Sequence, residues 1–232
     1  MAKFVVIDGL DGCGKATQVK SVAEYFNKKG YNVRTMTYPA YDSDSSILVK
    51  MYLHGELGKD ATEINPYVCA SFYAVDRFAQ FYQKYFDYFK EDDNTIILAD
   101  RYVSANVIHQ SSKLSTRDDK HNFIKWCYDY ECNLGGLPKE DLTILLTIPP
   151  KVSQSLINQR YDGDTSKKDI HENSLDYLQH CYDELDDTVK FINMSNTANW
   201  LWIDCSTKDN QSIKPIDEIT SIIVTAIENI VM

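Results

Sequence analysis

Five short β-type runs punctuate the chain, at residues 4–7, 33–38, 95–99, 142–148 and 201–204. Several are apolar at successive rather than alternate positions, as strands covered on both faces are. Longer stretches with a helical period lie between them, and this alternation predicts a parallel sheet sheathed by helices. A first helix is expected to open just after the first run and to stop before Gly30, a residue suited to the left-handed turn that ends helices. A long helix is expected over 67–89, where much of the aromatic content lies, and another over 120–132. Leu175, Leu178, Tyr182, Leu185, Val189 and Ile192 recur at steps of three and four, one stripe of an amphipathic helix. Ile216, Ile219, Ile223, Ala226 and Ile230 repeat that rhythm near the C-terminus, and both stripes read as core packing.

With 232 residues and 44% apolar content, the chain has enough material for a substantial core. Neither repeat nor low-complexity linker divides it, so residues 1–232 read as a single domain. The polar insertion at about 160–173 reads as a small mobile lid over a site. A net charge of -10 argues against a surface that coats nucleic acid, which needs clustered Lys and Arg. Any phosphate ligand must therefore be held by a few local cations, backbone amides or Mg²⁺. No apolar run reaches the ~20 residues that cross a bilayer, and the first residues lack the pattern of a secretory leader. Six cysteines fall without a C-x-x-C pair, as reduced thiols of a cytoplasmic protein do.

Candidate chemistry begins at Gly9-Leu10-Asp11-Gly12-Cys13-Gly14-Lys15, directly after the first strand. It matches seven positions of the phosphate loop G-x-x-x-x-G-K-[ST]. Glycines let the backbone curl so that successive N–H groups converge on phosphate oxygens, and the following helix adds its positive dipole end. Gly9, Gly12, Cys13, Gly14, Lys15, Ala16 and Thr17 are the expected ATP phosphate contacts, with Lys15 reaching the transferred group. Ala16 stands where the pattern wants a hydroxyl for Mg²⁺, so Asp8, Thr17 and Asp100 are the candidate metal residues, partly through water. Cys13 sits at a helix N-terminus, which is expected to lower its pKa and leave it open to thiol reagents, although it reads first as a small loop residue.

Three ordered segments resemble the thymidylate kinase family, and the likeness extends over essentially the whole chain. Asp8 to Lys15 is similar to the family's acid-Gly-x-Asp-x-x-Gly-Lys, Phe72 to Arg77 to its Phe-Ala-x-Asp-Arg helix, and Asp100-Arg101-Tyr102 to its Asp-Arg-Tyr motif. The resemblance implies a P-loop NTPase-type α/β fold with a five-stranded parallel sheet flanked by helices. It also implies transfer of the ATP γ-phosphoryl group to dTMP with Mg²⁺, in a homodimer formed through the helices beside the acceptor site. Lys15, Asp100, Arg101 and Arg160 would be catalytic, Arg101 gripping the acceptor phosphate and Arg160 serving the donor side. Asp11, Tyr41, Tyr73, Arg77, Arg101, Asn106 and Gln110 would bind dTMP, Asp11 near the sugar 3′-hydroxyl, Tyr73 on the base face and Arg77 at a base carbonyl.

The chain departs from the family at several points. Ala40 replaces an Arg that many relatives place by the acceptor phosphate, and Ala105 replaces a Ser, with Ser104 one place early. His109 stands where some relatives carry a Tyr against the ribose 2′-hydroxyl. The lid offers Arg160, Lys167 and Lys168, a thin cationic supply. Another nucleoside or nucleotide kinase on the same fold, or a non-catalytic nucleotide binder, therefore stays open at this stage.

Overall fold

The five β-type runs become five strands of one sheet: β1 (Lys3–Gly9), β2 (Asn32–Thr37), β3 (Thr95–Asp100), β4 (Leu142–Thr147) and β5 (Trp200–Asp204). The structure is a computed structural model that describes residues 1–164 and 168–231. The strand order is β2-β3-β1-β4-β5, and every neighbouring pair is parallel. β1 therefore lies at the centre, with β3 on one side and β4 on the other.

The helices fall where the helical period places them. α1 (Lys15–Lys28) opens at the end of the glycine loop, and Gly30, at φ 92, follows its end. α2 (Ile47–Leu53) and α3 (Pro66–Gln80) come next, α3 being started by Asn65, whose side chain accepts from the Tyr67 N–H, and by proline at its first position. α4 (Val103–Ser111) follows β3, and α5 (Arg117–Tyr128) is capped by the Thr116 hydroxyl. α6 (Pro150–Arg160), α7 (Leu175–Asp183), α8 (Leu185–Met194) and α9 (Ile216–Val231) complete the set.

Three expectations change. The helix read over 67–89 is α-helical only to Gln80, after which the chain makes a π turn (Phe81–Tyr85) and a 3₁₀ segment (Phe86–Lys90). Phe81 meets Phe86 and Phe89 edge-on, with ring centroids 5.6 and 5.7 Å apart. Residues eight apart on a regular helix are ~12 Å apart along its axis, so Phe81 and Phe89 meet only because the regular helix ends. The helix read over 120–132 likewise passes from α5 into a π turn (Asp129–Leu134). The single stripe over 175–192 is two helices joined at Glu184, where the Glu184 carboxylate pairs with Lys120 at 2.7 Å. Its buried line runs through Leu178, Cys181, Leu185, Thr188 and Ile192, shifted by one residue from Tyr182 and Val189.

Each sheet face carries its own core. On one face Val5, Ile7, Ile96, Leu98, Ile144 and Ile203 meet Val22 and Phe26 of α1 and Ile219, Ile223 and Ile227 of α9. On the other face Phe4, Val6, Ile97, Ala99 and Leu145 meet α4, α5, α7 and α8 through Val107, Phe123, Cys181 and Ile192. Coverage on both sides is why the inner strands β1, β3 and β4 are buried and apolar almost throughout. It also leaves the carboxyl ends of β1 and β3 as the open edge where ligands of such sheets bind.

Candidate active site

Beyond β1 the backbone turns back sharply, and two glycines make this possible. Gly9 has φ 148, and a Cβ there would lie 2.0 Å from the Leu146 carbonyl oxygen. Gly12 has φ 78, and a Cβ would meet the Ser153 carbonyl at 2.9 Å. Close approach of β4 and α6 to the loop thus excludes side chains at both positions. The Ser153 hydroxyl donates to the Asp11 carbonyl, tying α6 to the loop. Lys15 folds back across the loop, donating to the carbonyls of Gly9 at 3.1 Å and Leu10 at 2.8 Å, with Asp11 Oδ1 at 3.9 Å. Gly14 takes the left-handed conformation immediately before α1, while Ala16 and Thr17 are exposed on the first turn. Cys13 is fully buried, and burial pushes its thiol up, outweighing Lys15 and Arg101. The expected activation by the helix terminus is overturned, because a thiolate loses its hydration there.

Beyond β3, Arg101 sits at φ 66 and its N–H donates to the Ile7 carbonyl at 3.2 Å. A left-handed conformation costs a non-glycine residue on the order of 1 kcal/mol. It bends the chain from strand to helix so that the guanidinium reaches the phosphate loop and pairs with Asp11. Burial pushes the Asp11 carboxyl up, but Arg101 and Lys15 outweigh it and hold the group well below the usual carboxylate range. Asp8, at the end of β1, accepts from the Gly9 N–H at 2.8 Å and the Ser104 hydroxyl at 2.5 Å. Ser104 therefore serves the strand-end acid from one place earlier than the family pattern. Burial raises the Asp100 carboxyl, which takes no hydrogen bond from the described residues and feels Lys15, Arg101 and Asp8 through space. Among the described residues, no three His, Cys, Asp or Glu side chains gather as a metal-binding group.

Asp11 and Arg101 line one cavity. Tyr41, Tyr73, Arg77, Asn106 and Gln110, all expected at an acceptor site, line it with them. Tyr41 is 54% exposed at the rim, whereas Arg77, Asn106 and Gln110 are almost wholly buried at its floor. Burial also holds His109, which lines the same cavity, down to about 4, and neither of its ring nitrogens has a hydrogen-bond partner among the described residues. His109 stacks on His171 with centroids 5.2 Å apart, and His171 meets the Tyr52 hydroxyl at 2.8 Å.

The described part of the polar insertion thus forms one wall of the cavity, through Asp169 and His171. The Ile170 N–H donates to the Leu53 carbonyl at 3.2 Å, and Asp169 accepts from the N–H groups of His171 and Glu172. Burial and the nearby Asp11 push the Asp169 carboxyl up to about 7. Arg160, at the end of α6, is half exposed and lies 3.4 Å from Glu172. It faces a wider cleft with Lys50, Lys84, Asp100, Arg101 and Lys168. Lys167 lies outside the described residues.

Several functional neighbours escape sequence reasoning. Glu131 forms a two-pronged ion pair with Arg77, Nε and Nη2 each 2.6 Å from a carboxylate oxygen. Only the pairing of two buried charges distant in sequence would have revealed it. Asp76, inside a recognised motif, accepts from the Ala40 N–H at 2.9 Å and the Ser45 hydroxyl at 2.5 Å. It holds in place the loop where relatives carry an Arg. Lys50 and Lys84 carry no motif at all.

The model of one protein family, described as thymidylate kinase, matches residues 7–202. A probable thymidylate kinase of Thermococcus onnurineus is 30% identical over 161 residues, covering 68% of this chain and 72% of that protein. The thymidylate kinase of Mycobacterium tuberculosis is 26% identical over 183 residues, covering 76% and 80%. Among solved structures, a thymidylate kinase from Candida albicans superposes with a TM-score of 0.66 at 17% identity, over 98% of this chain and 92% of that one, which establishes the fold. With the phosphate loop, the strand-end arginine and the cavity between them, the chain belongs to the thymidylate kinase family.

Proposed function

We propose that the chain transfers the γ-phosphoryl group of ATP to dTMP, releasing ADP and dTDP. One observation carries the reading: Lys15 of the phosphate loop and Arg101 beyond β3 converge on the single carboxylate of Asp11 in the lining of the cavity. Two cations held this close to one carboxylate suit a site built for two phosphates meeting end to end. Phosphoryl transfer asks mainly for positioning and for charge along the line of transfer.

In this reading the backbone amides from Gly12 to Thr17 cradle the donor phosphates, and Lys15 exchanges its carbonyl partners for the transferred group. Arg101 leaves Asp11 for the acceptor phosphate, and Asp11 turns to the sugar hydroxyl. Tyr73 supplies a ring for the base, with Arg77, Asn106 and Gln110 at its polar edge and Tyr41 at the rim. Arg160, with Lys168 beside it, serves the donor side when the lid closes. Asp100, which takes no hydrogen bond from the described residues, would hold a Mg²⁺, with Asp8 and Thr17 helping through water, and the ion would supply positive charge to the phosphates.

Ile47, Leu48, Val68, Val75, Tyr82 and Phe86 are exposed on α2, α3 and the turns that follow, and we read them as one apolar face. We assign this face to a homodimer. No helix among the described residues is long and apolar enough to cross a membrane, and the six cysteines are unpaired, in accord with a cytoplasmic enzyme.

A coupled ADP-release assay with Mg²⁺ and a panel of dTMP, dUMP, dCMP, UMP and thymidine tests the assignment. The expected result is fastest turnover of dTMP and none of thymidine, which brings no phosphate to Arg101. Faster turnover of another monophosphate would reassign the acceptor. ATP binding without turnover of any acceptor would make the chain a nucleotide-binding scaffold.

A further inference from the structure

Glu131 lies behind Arg77 and Asn106 of the cavity lining, 1% exposed, in the π turn that follows α5. Besides Arg77 it accepts from Asn106 Nδ2 at 3.0 Å, and the second proton of that nitrogen goes to the Ala70 carbonyl at 3.1 Å. Both partners of the Asn106 amide nitrogen are pure acceptors. The amide cannot turn over without setting Oδ1 against a carboxylate and a carbonyl at once. Its orientation is therefore locked, and Oδ1, which takes no hydrogen bond from the described residues, is left as an acceptor beside the cavity. Arg77 spends Nε and one Nη2 proton on Glu131 and keeps its Nη1 protons as donors. Gln110 Oε1, buried and unpartnered among the described residues, is a further acceptor in the same lining.

Resting on the reading that this cavity takes the acceptor base, we propose that Glu131 is a positioning residue that sets base preference through Asn106. The locked pair offers a donor beside an acceptor. That suits the imide edge of thymine or uracil, where a carbonyl adjoins a ring N–H. Cytosine reverses both roles, with an amine beside a bare ring nitrogen, so each contact becomes a clash of like with like. Discrimination against a base with unmatched polar groups is large, because the buried partners are left without hydrogen bonds.

Calorimetric titration of dTMP and dCMP into wild type, Glu131→Gln and Glu131→Asp tests this without relying on turnover. The amide introduced by Glu131→Gln can donate to Asn106 Oδ1 and so removes the lock. The preference for dTMP over dCMP is expected to fall by about tenfold or more in Glu131→Gln. It should be retained in Glu131→Asp, which keeps the charge. A lower Tm with the preference unchanged would make Glu131 a structural residue only and overturn the proposal, as would failure of the wild type to bind dTMP. Binding with preference but no phosphoryl transfer would sink the kinase reading alone. Should the variants not fold, hydrogen exchange in the wild type decides: the Asn106 amide protons, held by Glu131 and the Ala70 carbonyl, should exchange slowly with solvent. Exchange as fast as that of an exposed asparagine would contradict the lock.

Discussion

Lys15 illustrates how far a single side chain's role follows from its surroundings. Only 7% exposed and bonded to the Gly9 and Leu10 carbonyls, it is a buried cation whose partners are mostly neutral dipoles. Such an arrangement holds a charge ready for an anion without neutralising it. Lys15→Ala should lower kcat by about 10²–10³, read in the ADP-release assay, with a smaller effect on KM for the acceptor. A change under about threefold would remove Lys15 from the transfer chemistry. The motif residues were legible in the sequence because loops that curl around phosphate restrict residue type at fixed spacing. Glu131 was not, because its partner Arg77 lies 54 positions away and no local pattern links them. Cys13 was misread for the converse reason: the helix terminus is visible in sequence, while the burial that outweighs it is not.

At the level of elements, the inner strands were legible almost to the residue, since burial on both faces leaves nearly unbroken apolar runs between polar turns. Helix ends were less so. The stripe over 175–192 places the buried line to within one residue but misses the break at Glu184, whose carboxylate pairs with Lys120 of α5. The lid was recognisable as polar, yet nothing in its composition announced that His171 would stack on His109 of α4. This contact joins lid to core through two rings that burial holds below their usual pKa. The native His109 takes up its proton near pH 4, the unfolded one near 6.5. Between those values the unfolded state binds more protons, so stability is fully present above about pH 6.5 and is lost as pH falls toward 4. The effect is on the order of 3 kcal/mol for His109 alone. Thermal melts across this range should show the loss, and His109→Phe should make it shallower, with His171 supplying the remainder. An equal slope in the variant would place the titration elsewhere.

For the whole molecule, two cores on a central β1 set the phosphate loop and Arg101 side by side at one edge, and the apolar face of α2 and α3 lies nearby. Val75→Glu should convert a dimer into a monomer by sedimentation, with charge introduced on a face of Val68, Tyr82 and Phe86. A wild-type chain that sediments as a monomer would contradict that assignment. The central claim is that donor and acceptor phosphates meet between the loop and the Arg101 guanidinium. Pre-steady-state transfer from ATP to dTMP in Arg101→Ala, measured beside the ATP dissociation constant, tests it most directly. Transfer is expected to slow by about 10²–10³ while ATP binding stays within about threefold, because Arg101 acts on the acceptor side. Transfer at the wild-type rate would contradict it.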